Sequence, residues 1–308
     1  MANENNDLNV RQYQLEFKEM LQTVFQKEAY FGDMFAGGLE ALDGVQENEN
    51  AFYVKTSDIP VVMGEYDTDP DTAFGDGTGS SSRFGKRTEV IYTNTPVPYT
   101  WGWVYHEGID RHTVNNDLEA AVADRTLLQA QAKTAEFNRH HAEFISSAAG
   151  KTIYGGITAE NLTSVFNELD EHFVNVGAVG TRVAKVTATV RNLIIDSKEA
   201  TTSKNSSANI DDNSVLKYKD FVIQVLPESA FKAGDIVYAY VTGVAKAFTG
   251  INTARTIESE DFDGVAFQGA GKAGEYIPEA NKKAVAKVTK NLQGNENGNE
   301  NGNENEGA

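Results

Sequence analysis

The chain contains no cysteine. That one absence excludes disulfides, thiolate nucleophiles and cysteine-based metal sites together. No run of eighteen apolar residues occurs and the N-terminus, MANENNDLNV, is acidic and polar, so the sequence offers neither a membrane span nor a secretory signal. The expected place of work is the cytoplasm, or outside it by another route. Basic residues are scarce: 27 Lys and Arg stand against 45 Asp and Glu, for a net charge of −18. Such a surface attracts no phosphate backbone, which argues against nucleic-acid binding by this chain alone.

Catalytic fingerprints are missing as well. Asp67, Asp69 and Asp71 begin like a calcium-binding EF loop, but Thr72 stands where the turn glycine belongs and Thr78 where the closing glutamate belongs. The run GAGKAG at 269–274 is not a phosphate loop, because Ala266 replaces its first glycine and Ala273 the hydroxyl that would meet magnesium. The five histidines are His106, His112, His140, His141 and His172. Adjacent on a helix, His140 and His141 diverge by about 100° and cannot share a metal as an i, i+4 pair does. His106 and His112 bracket Glu107, Asp110 and Arg111 in what reads as a hydrogen-bonded hinge. No Gly-x-Ser-x-Gly elbow and no singled-out carboxylate pair occurs. The reading is therefore no enzyme, no catalytic or metal residues and no cofactor.

What the chain does have is a long helical pattern from Asn115 to Gly150, roughly 50 Å at 1.5 Å per residue. Asn116 with Glu119 forms a capping box, Asp117 adds negative charge at the first turn, and Gly150 supplies a left-handed stop. Two apolar stripes run along it, Leu118, Ala121, Val122, Leu128, Ala132, Ala135, Ala142, Ile145, and at an offset Leu127, Ala130, Phe137, Phe144, Ala148. A helix apolar on two sides is expected between two layers, as a spine rather than a coiled-coil arm.

Upstream, Tyr13, Phe17, Met20, Leu21 and Val24 give residues 11–31 one apolar helical face, an arm packed on its own domain or on a neighbouring subunit. Residues 51–62 and 87–105 are rich in β-branched and aromatic residues and carry Pro60, Pro96 and Pro98, as edge strands do. Between them lie more than twenty Gly-, Asp- and Ser-rich residues, a length that a compact domain rarely keeps without a purpose. Residues 51–105 thus read as a long β-hairpin with an exposed tip. Its charges are segregated, Glu65, Asp67, Asp69, Asp71 and Asp76 first, then Arg83, Lys86 and Arg87, a pattern that suits docking on a copy of itself and equally a solvated loop.

Downstream of the spine, Thr158 is placed to cap a helix burying Leu162, Val165, Phe166, Leu169, Phe173 and Val176. Strands are expected at 183–190, 192–196, 221–226 and 236–241, making a second α+β unit over about 155–255. Short strand-like pieces follow and are expected to return to the spine's domain. The sequence GNEN then repeats three times from Gly294 to Asn305, a tail unable to bury apolar surface and expected to be disordered.

In this order of elements, and locally in WGWVYHEGIDRHTVNNDLEAAVADR and from LIIDSKEATTSKNSSANIDD to FVIQVLPESAF, the chain resembles the major capsid proteins of tailed bacteriophages, with phages of Gram-positive hosts closest in appearance. The resemblance spans about residues 8 to 292. It implies the α+β tailed-phage capsid fold: an N-terminal arm (1–50), an extended β-hairpin loop (51–105), a peripheral domain with the spine helix (106–154 and 256–292) and an axial domain (155–255), with the tail (293–308) outside. It also implies a shell around double-stranded DNA built from pentamers and hexamers, with packaged DNA on the inner face and no sequence-specific binding of it, a scaffolding protein and a portal as partners, and no membrane. The implied location is the virion, with assembly in the host cytoplasm. The hairpin-tip residues Glu65, Asp67, Asp69, Asp71, Arg83, Lys86 and Arg87 are then the expected contacts between subunits. Some family members join a loop lysine to a neighbour's asparagine. Lys55 and Lys86 are the hairpin lysines here, but no asparagine or assisting glutamate matches, so no cross-linking residue carries over. Members often begin with a long scaffolding segment, and the short arm here suggests a separate scaffold or a trimmed start. Two other readings stay open, a cellular compartment shell of the same fold and a carbohydrate-binding or adhesin-like module using Tyr99, Trp101, Trp103 and Tyr105.

Overall fold

The computed structural model describes residues 28–41, 50–57, 61–69, 83–85, 87–114, 117–197 and 216–291. They fall into two compact units, residues 43–99 and the rest of the chain. Of the expected arm helix over 11–31, residues 28–31 are described and are not helical; residues 11–27, the loop at 198–215 and the GNEN tail lie outside the described residues.

In the larger unit the spine is helix α1, Leu118–Ala148. Asn116, the expected cap, lies outside the described residues; Asp117 precedes the helix and makes no side-chain capping bond. Gly150 is not a left-handed stop. The chain leaves α1 extended at Ala149, and Gly150 is needed for closeness: its N–H donates to the carbonyls of Lys282 (3.0 Å) and Val285 (2.9 Å), and a Cβ there would meet the Lys282 carbonyl oxygen at 2.5 Å. The two expected stripes are also corrected. The buried residues are Phe137, Asn138, His141, Ala142, Ile145, Ser146 and Ala148, with Ala121 apart, so burial follows one broad face of the C-terminal half, while Leu127, Ala130 and Ala132 are exposed. Alanine suits either environment, and a stripe drawn through alanines does not mark a buried face.

A six-stranded sheet lies next to that buried half, in the order β5 (Lys151–Ile153), β12 (Val285–Thr289), β9 (Asp235–Val241), β6 (Arg182–Thr187), β8 (Phe221–Leu226), β7 (Leu216–Tyr218). One face packs on helix α2 (Leu162–Asn175) through Leu162, Val165, Phe166, Leu169 and Phe173, and on α3 (Ala188–Asp196) through Val190 and Ile194. The other face meets Ala142, Ile145 and Ala148 of α1 and Phe31, Met34 and Phe35. Helix α2 starts later than expected: Thr158 does not cap it, and its N–H donates instead to Asn161 Oδ1 (2.7 Å). Val176 is partly exposed rather than on the buried face.

Residues 192–196 form the end of α3, not a strand. Thr187 ends β6 and its hydroxyl accepts from Val190 N–H, capping a helix whose i, i+4 pair Val190 and Ile194 is buried. The pentapeptide VAKVT occurs twice, at 183–187 and 285–289, and the two copies flank β9 in the same register. Lys185 and Lys287 thus stand on either side of Tyr238, with Val183 and Val285 beside Tyr240. Both lysines are buried and both are answered: Lys185 by Asp33 (3.0 Å) and Gln224, Lys287 by Ser146 (3.1 Å). Asp33 also accepts from Tyr240 (2.8 Å), and burial beside this carboxylate raises the phenol's pKa well above its usual value.

A four-stranded sheet completes the unit, in the order β1 (Phe35–Ala41), β10 (Ala245–Glu258), β11 (Gly264–Tyr276), β4 (Trp101–Asp110). This redraws the expected boundaries. Residues 101–105 belong to β4, paired with β11, and not to the hairpin. Residues 245–255 pair with β11 and β1, while β12, expected back with the spine's domain, sits inside the six-stranded sheet. The glycine-rich 269–274 run lies in β11, where Gly269 pairs with Tyr105 and Gly271 with Trp103. A Cβ at either glycine would fall within the facing ring. The glycines are there so that aromatic side chains can lie flat across the strand.

The smaller unit is a hairpin of β2 (Asn50–Thr56) and β3 (Thr93–Pro98), antiparallel, with Lys55 opposite Asn94 and Thr56 opposite Thr93. Pairing stops there, and residues 61–69 and 87–92 run on without strand partners among the described residues.

Candidate functional site

The hairpin unit buries little of itself. Ala51 and Val97 are its buried apolar residues among those described. Beyond the paired strands Val61, Val62, Met63 and Phe84 are 84–90% exposed, and Tyr53, Tyr66, Val90, Ile91 and Tyr92 are more than half exposed. Two strands do not form a stable sheet alone, and this unit leaves many large apolar side chains uncovered.

Of the expected contact residues, Glu65, Asp67, Asp69 and Arg87 are exposed and Arg83 is partly so. Asp71 and Lys86 lie outside the described residues, as does Asp76. Within the unit the two sides of the loop meet through the backbone and an aromatic pair: Asp67 N–H donates to the Arg83 carbonyl (3.0 Å), and the Arg83 side chain lies over the Tyr66 ring (5.9 Å), which meets Phe84 edge-on at 5.2 Å. Asp67 also accepts from Asp69 N–H (2.8 Å), forming a local turn where an EF loop would have needed a ligand. The apolar residues around these charges were not among the expected contacts, although Val61, Val62 and Met63 adjoin the loop; Val61 and Val62 read as the end of the 51–62 edge strand.

In the larger unit the aromatics of β4 are taken up by α1. Trp101 stacks on His140 (4.0 Å, 8°) and meets Phe137 edge-on; Trp103 packs on Phe137 and carries Lys133 over its ring at 4.5 Å. Burial lowers the pKa of Lys133. Burial, then the charge of Arg139, lowers that of His140. A groove of about 520 Å³ runs between β4 and α1, lined by Trp103, Tyr105, Gln129, Lys133 and Glu136 among others. One face of the Trp101 indole is covered by His140, and Lys133 lies over Trp103.

Glu275 is the polar centre of this region. Its carboxylate accepts from His141 Nδ1 (2.9 Å), from the Trp101 indole N–H (3.2 Å) and from the Thr100 hydroxyl (3.3 Å), with 4% of its side chain exposed. Glu107 likewise accepts from Arg125 and Gln129, which hold its carboxyl below the ordinary range. His106 and His112 contact Gln268 and Asp263. These groups tie β4, β11 and α1 together. Among the described residues no three His, Asp or Glu side chains are placed to hold a metal ion.

No family model and no curated protein matches the sequence. Solved structures do match. A structure from Mycobacterium phage Che8 has a TM-score of 0.63 at 14% identity, over 89% of this chain and 96% of its own. The mature capsid of bacteriophage PhiM1 has a TM-score of 0.61 at 12% identity, over 94% of each chain, and the capsid of cyanophage P-SCSP1u 0.61 at 11%, over 93% of each. At such low identity the likeness is one of architecture, and it extends over nearly the whole chain: this protein has the fold of tailed-bacteriophage capsid structures.

Proposed function

We propose that this chain is a major capsid protein, a subunit that assembles with copies of itself into a closed icosahedral shell around double-stranded DNA. The observation that carries the reading is the hairpin unit, 43–99, whose large apolar side chains are exposed on a fold shared with phage capsids. Burying each of Val62, Met63, Phe84 and Ile91 against a neighbour would contribute about 1.5–3 kcal/mol. Together that is on the order of 10 kcal/mol gross, comparable to the 4–15 kcal/mol cost of immobilising a partner. Any one contact is then weak, and a shell of many copies gains its strength from multivalency. Glu65, Asp67, Asp69, Arg83 and Arg87 would form the polar rim that sets register, and Asp71 and Lys86 belong to the same proposed contact. The net charge of −18 keeps a shell wall from adhering to DNA moving inside it.

The subunits would form pentamers and hexamers in the virion capsid, assembled in the host cytoplasm with a scaffold and a portal. The decisive experiment is electron microscopy of the purified protein, alone and with candidate scaffolds, beside a variant lacking 66–82. Closed shells from the full chain and a folded, shell-incompetent deletion variant are expected. Normal shells from the deletion variant would remove the assembly role given to the hairpin, and monomers under every condition would overturn the capsid reading. The nucleic-acid content of particles separates a virus shell from a compartment holding protein.

A further inference from the structure

The two VAKVT lysines stand in the same register on either side of β9 and end in different surroundings. Lys185 meets a carboxylate that another segment brings over the sheet, Asp33, 3.0 Å away. Lys287 meets the Ser146 hydroxyl of α1 (3.1 Å) and borders a cavity of about 570 Å³, set between the end of α1, β5, the end of β12 and the start of β9. The walls of this cavity are polar. Ser146, Asp235, Lys287 and Thr289 line it and are buried, while Thr152, Tyr154, Lys232 and Asn291 line it nearer the surface. Buried groups of this kind need hydrogen-bonding partners, which an apolar ligand does not supply. The charges favour an anion: the ammonium groups of Lys232 and Lys287 stand against one carboxylate of the lining, Asp235, which already accepts from the Tyr238 hydroxyl (3.0 Å). The end of α1 adds only about half an elementary negative charge, so positive charge prevails.

We propose that this cavity binds a small oxyanion, a phosphate or a carboxylate, on the Lys287 ammonium, in the role that Asp33 plays beside Lys185. An ammonium carries three N–H donors, so Lys287 can hold Ser146 and a ligand oxygen together. The hydroxyls of Thr152 and Tyr154 and the Asn291 amide offer donors to the remaining oxygens, and Lys232 adds a second positive charge from the solvent side. Ser147 also lines the cavity, but its hydroxyl donates to the Phe144 carbonyl (2.9 Å). The volume lies within the range of small-molecule sites, about 300–1,000 Å³. A bound oxyanion would tie the end of α1 to β5 and β12 through one ligand. This inference does not rest on the capsid reading.

The test titrates the full chain with sodium phosphate, and separately with sodium succinate, at an ionic strength held constant with sodium chloride. Binding is read by calorimetry and by the unfolding midpoint. A saturable rise of the midpoint is expected with at least one of the two anions, and the one that saturates at lower concentration identifies the ligand as a phosphate or a carboxylate. An anion acting only by exclusion from the surface raises the midpoint without saturation and is indifferent to these side chains. Lys232→Gln, at an exposed position, should raise the dissociation constant at least fivefold, and Lys287→Met should abolish the saturable binding. Lys246→Gln, on β10 and outside the lining, should leave it unchanged. If Lys287→Met does not fold, Lys232→Gln decides. Midpoints that rise without saturation, or not at all, with both anions would overturn the proposal, as would saturable binding that is unchanged in Lys232→Gln. Saturable stabilisation by magnesium chloride that is lost in Asp235→Asn would make this a cation site and overturn it too.

Discussion

Replacing Glu275 by glutamine removes the negative charge on which three donors, the buried His141 among them, converge while keeping the side chain's shape. His141 and Glu275 are 11% and 4% exposed at their side chains, so water cannot take over the lost contact. A hydrogen bond to a charged acceptor contributes about 1.5–3 kcal/mol, and the amide turns one accepting oxygen into a donor that faces other donors, so the replacement is expected to cost about 3–5 kcal/mol. At about 2–4 °C per kcal/mol for a domain of this size, Glu275→Gln is expected to lower the unfolding midpoint by on the order of 10 °C. The readout is built in: the two tryptophans of the chain are Trp101, a donor to Glu275, and Trp103, which packs beside it, so intrinsic fluorescence during urea or thermal unfolding reports on this region directly. A double replacement, His141→Phe with Glu275→Leu, should recover part of the loss, because it removes both buried members of the contact and leaves only the less buried Trp101 and Thr100 donors to turn to water. A Glu275→Gln protein within about 0.5 kcal/mol of the parent, the usual spread for innocuous surface changes, would refute the argument, as would a double variant less stable than the single.

Two further outcomes are expected. Glu107 has its folded pKa depressed below the ordinary 4.5 by hydrogen bonds from Arg125 and Gln129, so its contribution is present above that value and is lost as pH falls through the depressed one; Glu107→Gln should flatten the acid limb of a stability–pH profile measured by urea unfolding and leave its slope between pH 6 and 8 unchanged. Gly271→Ala would push a methyl into the Trp103 indole, which should cost about 1–3 kcal/mol by overpacking and change the tryptophan emission of the folded state, whereas Gly155→Ala, with open space around it, should leave that emission as it is.

How much of this was legible beforehand depends on the range of the forces involved. The existence of α1, and the face of α2 carrying Leu162, Val165, Phe166, Leu169 and Phe173, follow from helical periodicity, a property of residues three and four apart. Residues 192–196 were misread because a short apolar run fits a strand as well as a helix turn, and the Thr187 cap that decides it lies before the run. The hairpin's existence was readable from its β-branched strands and long polar loop. Its end was not, because nothing local separates the β3 residues from Trp101, whose strand partner lies about 170 residues away. The apolar residues of the hairpin were visible as letters, but their exposure is a tertiary fact.

By itself, then, the sequence determined which chemistry is excluded, through absent cysteines and broken motifs, and where the long helix and the hairpin lie. The tertiary structure alone decided which strands pair, why GAGKAG is glycine-rich, and that the two VAKVT copies set their lysines on either side of Tyr238. The reason is that these depend on contacts between segments tens to more than a hundred residues apart, and no local periodicity encodes them.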